Sequence, residues 1–260
     1  MGWVGARRLL IGIFLAVDVF LISLLGVSGP ISSGQGTVAA LPPGAVANPL
    51  GASVHDLPLL RMRLVSASQV ALTLFGSVPK GVVGPNGSVR YQRGQESVSQ
   101  QSNGAVWVEL APSPAELPVV GQTAAIRAAQ SLLTALNLAT NLTERAVLKS
   151  KSTYSVVFGE EVNGLSVEGA SAVVVEGPGK DWLVQIRLNE TRLAGGRASL
   201  LSAAEAVAYD AATGGSGRVQ SMALIYPLAS SNWQLVAPQW VLVGSGPTVR
   251  IDAFSGEEVP

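Results

Sequence analysis

The chain has 260 residues, no cysteine and a formal net charge of +0, with 48% hydrophobic and 13% charged residues. That length is enough for one or two domains with a real core. The missing cysteine excludes disulfides, thiolate catalysis and Cys-ligated zinc, and the balanced charge gives no footing for a nucleic-acid partner.

The first legible element is an uncharged apolar run broken by one acid, LLIGIFLAVDVFLISLLGV, from Leu9 to Val27. Its length as a helix, roughly 28 Å, matches the hydrocarbon core of a bilayer. Arg7 and Arg8 precede it and the next basic residues are Arg61 and Arg63, an asymmetry that keeps the N-terminus inside and sends the rest of the chain out. A secretory signal is the competing reading. Its apolar stretch is shorter and is followed closely by a small-residue cleavage site, whereas Val27-Ser28-Gly29-Pro30 is a poor site and Ala45-Val46-Ala47 lies far downstream. The run therefore reads as a single transmembrane helix, with residues 1–8 a cytoplasmic tail and the chain from 28 onward extracytoplasmic, at the cell membrane.

Asp18 lies mid-run and shares a helical stripe with Phe14, Leu21 and Leu25. A carboxylate there costs about 2.5–3.5 kcal/mol on insertion scales. Either the long apolar run tolerates it, or it meets a polar group on a partner helix. On the second reading Phe14, Asp18, Leu21 and Leu25 form a partner-binding face.

Residues 28–58 are rich in Gly, Ser, Ala and Pro without any period, so they read as a tether. Folding is expected from Leu59. The stretch RMRLVSASQVALTLFG (61–76) reads as strand, GVVGPNGS (81–88) as loop, and VRYQRGQESVS and GAVWVEL as further strands. GQTAAIRAAQSLLTALNL places Ile126, Ala129, Leu133 and Leu136 on one face of a helix. AVLKSKSTYSVVFG, LSVEGASAVVVEG and DWLVQIRLNE follow as strands. In the last, Trp182, Val184, Ile186 and Leu188 line one face. Asn163-Gly164 and Gly177-Pro178-Gly179-Lys180 supply turns.

The pattern then restarts. Ser202-Ala203-Ala204-Glu205 is a capping box, with Leu201 placed as a staple, and Gly214-Gly215 stops the helix it opens. RVQSMALIYPL, NWQLVAPQWVLVG and TVRIDAF complete a second set of three strands, and Pro238 marks the middle one as bulged or at an edge. The expected fold class is α+β: a transmembrane helix followed by tandem helix-plus-antiparallel-meander modules, at about 121–194 and 199–260 within an extracytoplasmic region 59–260.

These residues carry a resemblance. LVAPQWVLVGSGPTVRIDAFSGEEV is similar to the last strand pair of PepSY-like modules through Pro238, Trp240, Gly246, Asp252, Ala253, Gly256 and Glu257. LSAAEAV resembles the helix start of such a module and VVFGEEVNGLSVEGASAVVVEG its hairpin. The opening GWVGARRLLIGIFLAVDVFLISLL resembles the YycI (WalI) family through Trp3, Arg7, Arg8, Phe14-Leu15 and Phe20-Leu21, with Asp18 where that family usually has Asn. YQRGQESVSQQSNGAVWVEL looks like a hairpin of the same family, and residues 28–85 carry no likeness. The resemblance implies a non-enzymatic, membrane-anchored regulator of a two-component system. Its implied partners are a sensor histidine kinase of cell-wall homeostasis (WalK/YycG-like) and a YycH-like sister protein, and it implies no cofactor. The alternative is an exported PepSY-like inhibitor or chaperone-like binding module.

Catalytic and metal motifs are thin. His55, the single histidine, sits beside Asp56 in the tether, and no G-x-S-x-G elbow occurs. The acids are scattered, and Glu160-Glu161 and Glu257-Glu258 read as solvated turns. Gly214-Gly215-Ser216-Gly217 follows a helix instead of opening one, the wrong polarity for a phosphate cradle. The sequons at Asn86, Asn141 and Asn189 read as chance matches. Trp107, Trp182, Trp233 and Trp240 could line a groove, but aromatics at alternating strand positions more often serve the core. The expected outcome of N-terminal sequencing of the mature protein is that Leu9–Val27 is retained; a start near Asn48 would overturn the anchor.

Overall fold

The computed structural model describes residues 56–84, 87–111, 121–138, 140–150, 153–176 and 181–259. Phe14, Asp18, Leu21, Leu25 and His55 lie outside them. So does the expected transmembrane segment; among the described residues no helix is long and apolar enough to cross a membrane.

The first strand, β1 (Asp56–Leu64), starts three residues before the expected boundary and runs into α1 (Ala67–Phe75). This stretch was expected to be strand throughout. Ser66 caps the helix by accepting the Gln69 N–H, and Gly76 closes it in the left-handed conformation at φ 70. Between those caps Ala67, Val70, Ala71 and Phe75 are buried, a helical spacing that outweighs the β-branched content. Strands β2 (Val82–Val83), β3 (Val89–Arg93), β4 (Glu96–Gln100) and β5 (Val106–Leu110) follow. The expected single strand VRYQRGQESVS is thus a hairpin, turning at Gly94.

The next helix, α2 (Gln122–Ala135), buries Ala129, Leu133 and the following Leu136 of the expected stripe, with Ala125 buried beside them and Ile126 only partly buried. It leads into β6 (Leu142–Ser150), β7 (Thr153–Val162), β8 (Leu165–Glu176) and β9 (Trp182–Arg187). Asn163 and Gly164, both at positive φ, make the tight turn between β7 and β8. Then come β10 (Asn189–Ser199), α3 (Ala203–Thr213), β11 (Val219–Ile225), β12 (Gln234–Val236), β13 (Gln239–Gly244) and β14 (Val249–Asp252). The Ser202/Glu205 capping box forms, and Gly214 ends α3 at φ 69.

The expected tandem of helix-plus-meander modules is not the architecture. The structure is mostly antiparallel sheet: an eight-stranded sheet ordered β2-β3-β4-β5-β9-β8-β7-β6, and two three-stranded sheets, β10-β1-β12 and β11-β13-β14. A meander left alone has two open edges with unpaired N–H and C=O groups. Here β5 and β9 close theirs on each other, pairing Val106 with Ile186, Val108 with Val184 and Leu110 with Trp182. The strands after α1 and those after α2 therefore fuse into one sheet. β10 and β12 leave their neighbours in sequence to flank β1. Pro238 stands at that departure, between β12 and β13, where a missing donor costs no ladder bond.

One row of side chains shows how the sheet is held. Tyr91, Val98, Val108, Val184, Val174, Val156 and Val147 are register partners across seven strands. The five central ones are buried in the main core and Tyr91 and Val147 pack against it, beneath α1 on β3 and β4 and α2 on β7. The opposite face carries a smaller cluster, Val157 and Val173 with Trp107, Ala146, Val175 and Leu183. The sheet β11-β13-β14 joins through Tyr226, whose N–H donates to Ser166 O while its carbonyl accepts from Glu168 N. The Arg250–Glu168 pair, with bonds of 2.6 and 2.7 Å, fastens the same junction.

Ile186 is fully buried at the β5–β9 seam, whereas Leu193 on β10 is 75% exposed. Ile186→Ala should cost about 2–5 kcal/mol and Leu193→Ser should change little. Urea denaturation of the two variants checks this, and similar costs would contradict the seam as the centre of the core.

Candidate functional site

Where the eight-stranded sheet meets β1 and β10, a cleft of about 260 Å³ opens between the two helices. α1 contributes Gln69, Val70 and Thr73, and the turn leaving α2 contributes Leu136 to Leu138 and Thr140 to Leu142. Glu160 comes from β7, and Leu188 to Thr191 from the passage between β9 and β10. Asn137 and Asn141 hold positive φ, 58 and 66, a conformation asparagine accepts more readily than most residues. Their turn-making role places two asparagines in the lining of the cleft.

Glu160 is the chemically distinctive group. It is only 4% exposed, and its Oε2 accepts from the Asn189 backbone N–H at 2.9 Å and from Asn189 Nδ2 at 2.8 Å. No cation pairs with it among the described residues. Burial pushes its carboxyl above the usual range, and the two Asn189 bonds pull it partway back. Thr191 adds a second under-used group, since its Oγ1 is buried without a hydrogen-bond partner.

Glu190 is the opposite case. Arg63 donates to it through Nε at 2.8 Å and through its terminal nitrogen at 2.6 Å, Arg192 at 2.8 Å and Gln69 at 3.0 Å. Burial opposes its charge, but these donors outweigh it and hold the carboxyl below the usual range. The same two guanidiniums stack on Trp233, at 4.7 Å for Arg63 and 4.3 Å for Arg192. The cleft is thus bordered by an acid paired with two cations and contains one that no cation among the described residues pairs with.

The sequence reading missed Glu160 by placing Glu160-Glu161 in a solvated turn. The signal was the strand alternation: Val156, Phe158, Glu160 and Val162 share a face, so an acid stands where the pattern calls for an apolar residue. Only Glu161 points to solvent, pairing with Arg145 at 3.0 Å. Asn141 and Asn189 of the sequons both line the cleft. Trp182 and Trp240 are core, Trp107 packs on the second sheet face and Trp233 joins the arginine stack. The Gly214–Gly217 stretch is a helix stop, fixed by Asp210 accepting from the Ser216 N–H and Oγ at 2.7 and 2.6 Å. No cluster of three potential metal-ligating side chains occurs among the described residues.

No family model and no curated protein matches the chain. Among solved structures, the C-terminal domain of YpeB from Bacillus megaterium aligns over 75% of this chain and 96% of its own, at 13% identity and a TM-score of 0.32. That likeness is too low to carry fold or function across.

Because the folded state raises the Glu160 pKa, the unfolded chain releases this proton first. Stability contributed at Glu160 is therefore greatest at low pH and falls as pH rises from about 4.5, the ordinary glutamate value, through the folded value. Denaturation across this range should show wild type losing stability relative to Glu160→Gln; a parallel pair of curves would contradict the assignment.

Proposed function

We propose that this chain is a membrane-anchored regulatory protein that modulates a sensor histidine kinase of cell-wall homeostasis through transmembrane and extracytoplasmic contacts. The observation that carries the proposal is the run Leu9–Val27 with Asp18 at its centre. Lipid gives helices no hydrophobic gain on pairing, so association depends on packing and polar contacts. Asp18 is the residue whose burial demands an answering group. With Phe14, Leu21 and Leu25 it forms a face suited to a kinase helix or to the helix of a YycH-like sister protein, in keeping with the YycI-like opening. A carboxylate in place of the family's usual Asn requires that the partner offer a donor or that Asp18 carry a proton.

A second reading, an exported PepSY-like inhibitor or chaperone-like binding module, draws on the cleft around Glu160, which gives the folded region a concave polar feature of its own. The two differ in where binding resides. In a bacterial two-hybrid assay with anchors alone, Asp18→Leu should insert normally but associate more weakly, while Asp18→Asn should keep most of the association. Equal association of wild type and Asp18→Leu would move the function to the folded region.

A further inference from the structure

We infer that the cleft between α1, the turn after α2 and the β9–β10 passage binds a primary ammonium group, with Glu160 as its counter-ion. This is independent of the regulatory contact proposed for the anchor. Glu160 is a carboxylate 4% exposed in the wall of a cavity of about 260 Å³. Asn189 occupies Oε2 with two donors, and Oε1 receives no bond from the described residues. A buried carboxylate without a cation is costly until something neutralises it.

The neighbouring charges do not fill that need. Arg63 and Arg192 are committed to Glu190 and to the faces of Trp233, and Arg145 is committed to Glu161. Among the described residues the lining holds no Lys, Arg or His, so when Glu160 is ionised a ligand cation is the charge that can answer it. The other lining groups narrow its form. Thr191, also in the lining, has its Oγ1 buried without a partner, and Glu160 keeps Oε1 free of any bond from the described residues. A primary ammonium has three N–H donors for such acceptors, whereas a quaternary ammonium has none. The volume lies just below the usual range for ligand sites, which suits a small amine or the end of a lysyl side chain.

Isothermal titration of the full chain in detergent tests this with n-butylammonium chloride and with Nα-acetyl-lysine amide; tetramethylammonium, n-butanol and methyl β-glucoside serve as comparators. Saturable binding of either primary ammonium, weakened about tenfold or more in Glu160→Gln, is the expected result. The tighter probe distinguishes a free amine from a lysyl side chain as the natural source. Equal affinity in wild type and Glu160→Gln, or no binding of either primary ammonium, overturns the site. So does tetramethylammonium or n-butanol binding as tightly as n-butylammonium, or binding of the glucoside in its place. Should Glu160→Gln fail to fold, Thr191→Val, which removes the buried hydroxyl at little change in volume, is expected to weaken n-butylammonium severalfold, and an unchanged affinity overturns the proposal.

Discussion

The contact on which the arrangement depends is the one between Glu160 and Asn189. Asn189 is the first residue of β10, where the chain leaves the eight-stranded sheet for the three-stranded one. Every polar group of its side chain is used there, with Nδ2 donating to Glu160 and Oδ1 accepting from Ala229 N at 3.1 Å, while its backbone N–H also goes to Glu160. Its neighbour Leu188 accepts the Val65 N–H, and Asn189 itself is the register partner of Leu64. One residue thus ties β7, the end of β1 and the segment before β12 together. A strand can leave a sheet only if the groups it abandons find other partners, and Glu160 is that partner.

The fusion of the two four-stranded sets explains why this junction is roomy. Each helix covers its own half, α1 over β3 and β4 and α2 over β7. The row from Tyr91 to Val147 keeps the apolar side chains continuous beneath them. Where that cover stops, α1 contributes Gln69 and Thr73, and the turn after α2 contributes asparagines in left-handed conformations. Such turns need amide or glycine residues for backbone reasons, so polar groups collect at the place where three elements converge without closing.

Local chemistry was legible in the sequence, and long-range pairing was not. The α2 stripe, the Ser202 capping box, the Asn163-Gly164 turn and the apolar face of Trp182 to Leu188 all depend on residues within a few positions of one another. Within 61–76 the strand expectation holds to Leu64 and fails after it, where Val65 and Val70 favour a strand on content but the Ser66 cap and the spacing of Ala67, Val70 and Ala71 decide for a helix. No local pattern distinguishes a meander that ends at its own edge from one that pairs with another, because the strand alternation is the same in both. The β5–β9 seam and the capture of β10 and β12 by β1 therefore had no local signal. Glu160 did have one, an acid at an apolar position of an alternating strand, but it was read together with Glu161 as an exposed pair.

The clamp at the junction explains an acceptor at position 160 but not a charge. Both Asn189 donors converge on one oxygen, Oε2, and a glutamine side chain could accept the same two bonds through its carbonyl. It would do so without the cost of burying an ionised group. Glu190, next to Asn189 in β10, shows what an acid needs to sit comfortably at this border: two arginines and an amide donor. Glu160 has the amide donors and lacks the cation. The architecture therefore accounts for half of this carboxylate, and the remaining oxygen belongs to the chemistry of the cleft.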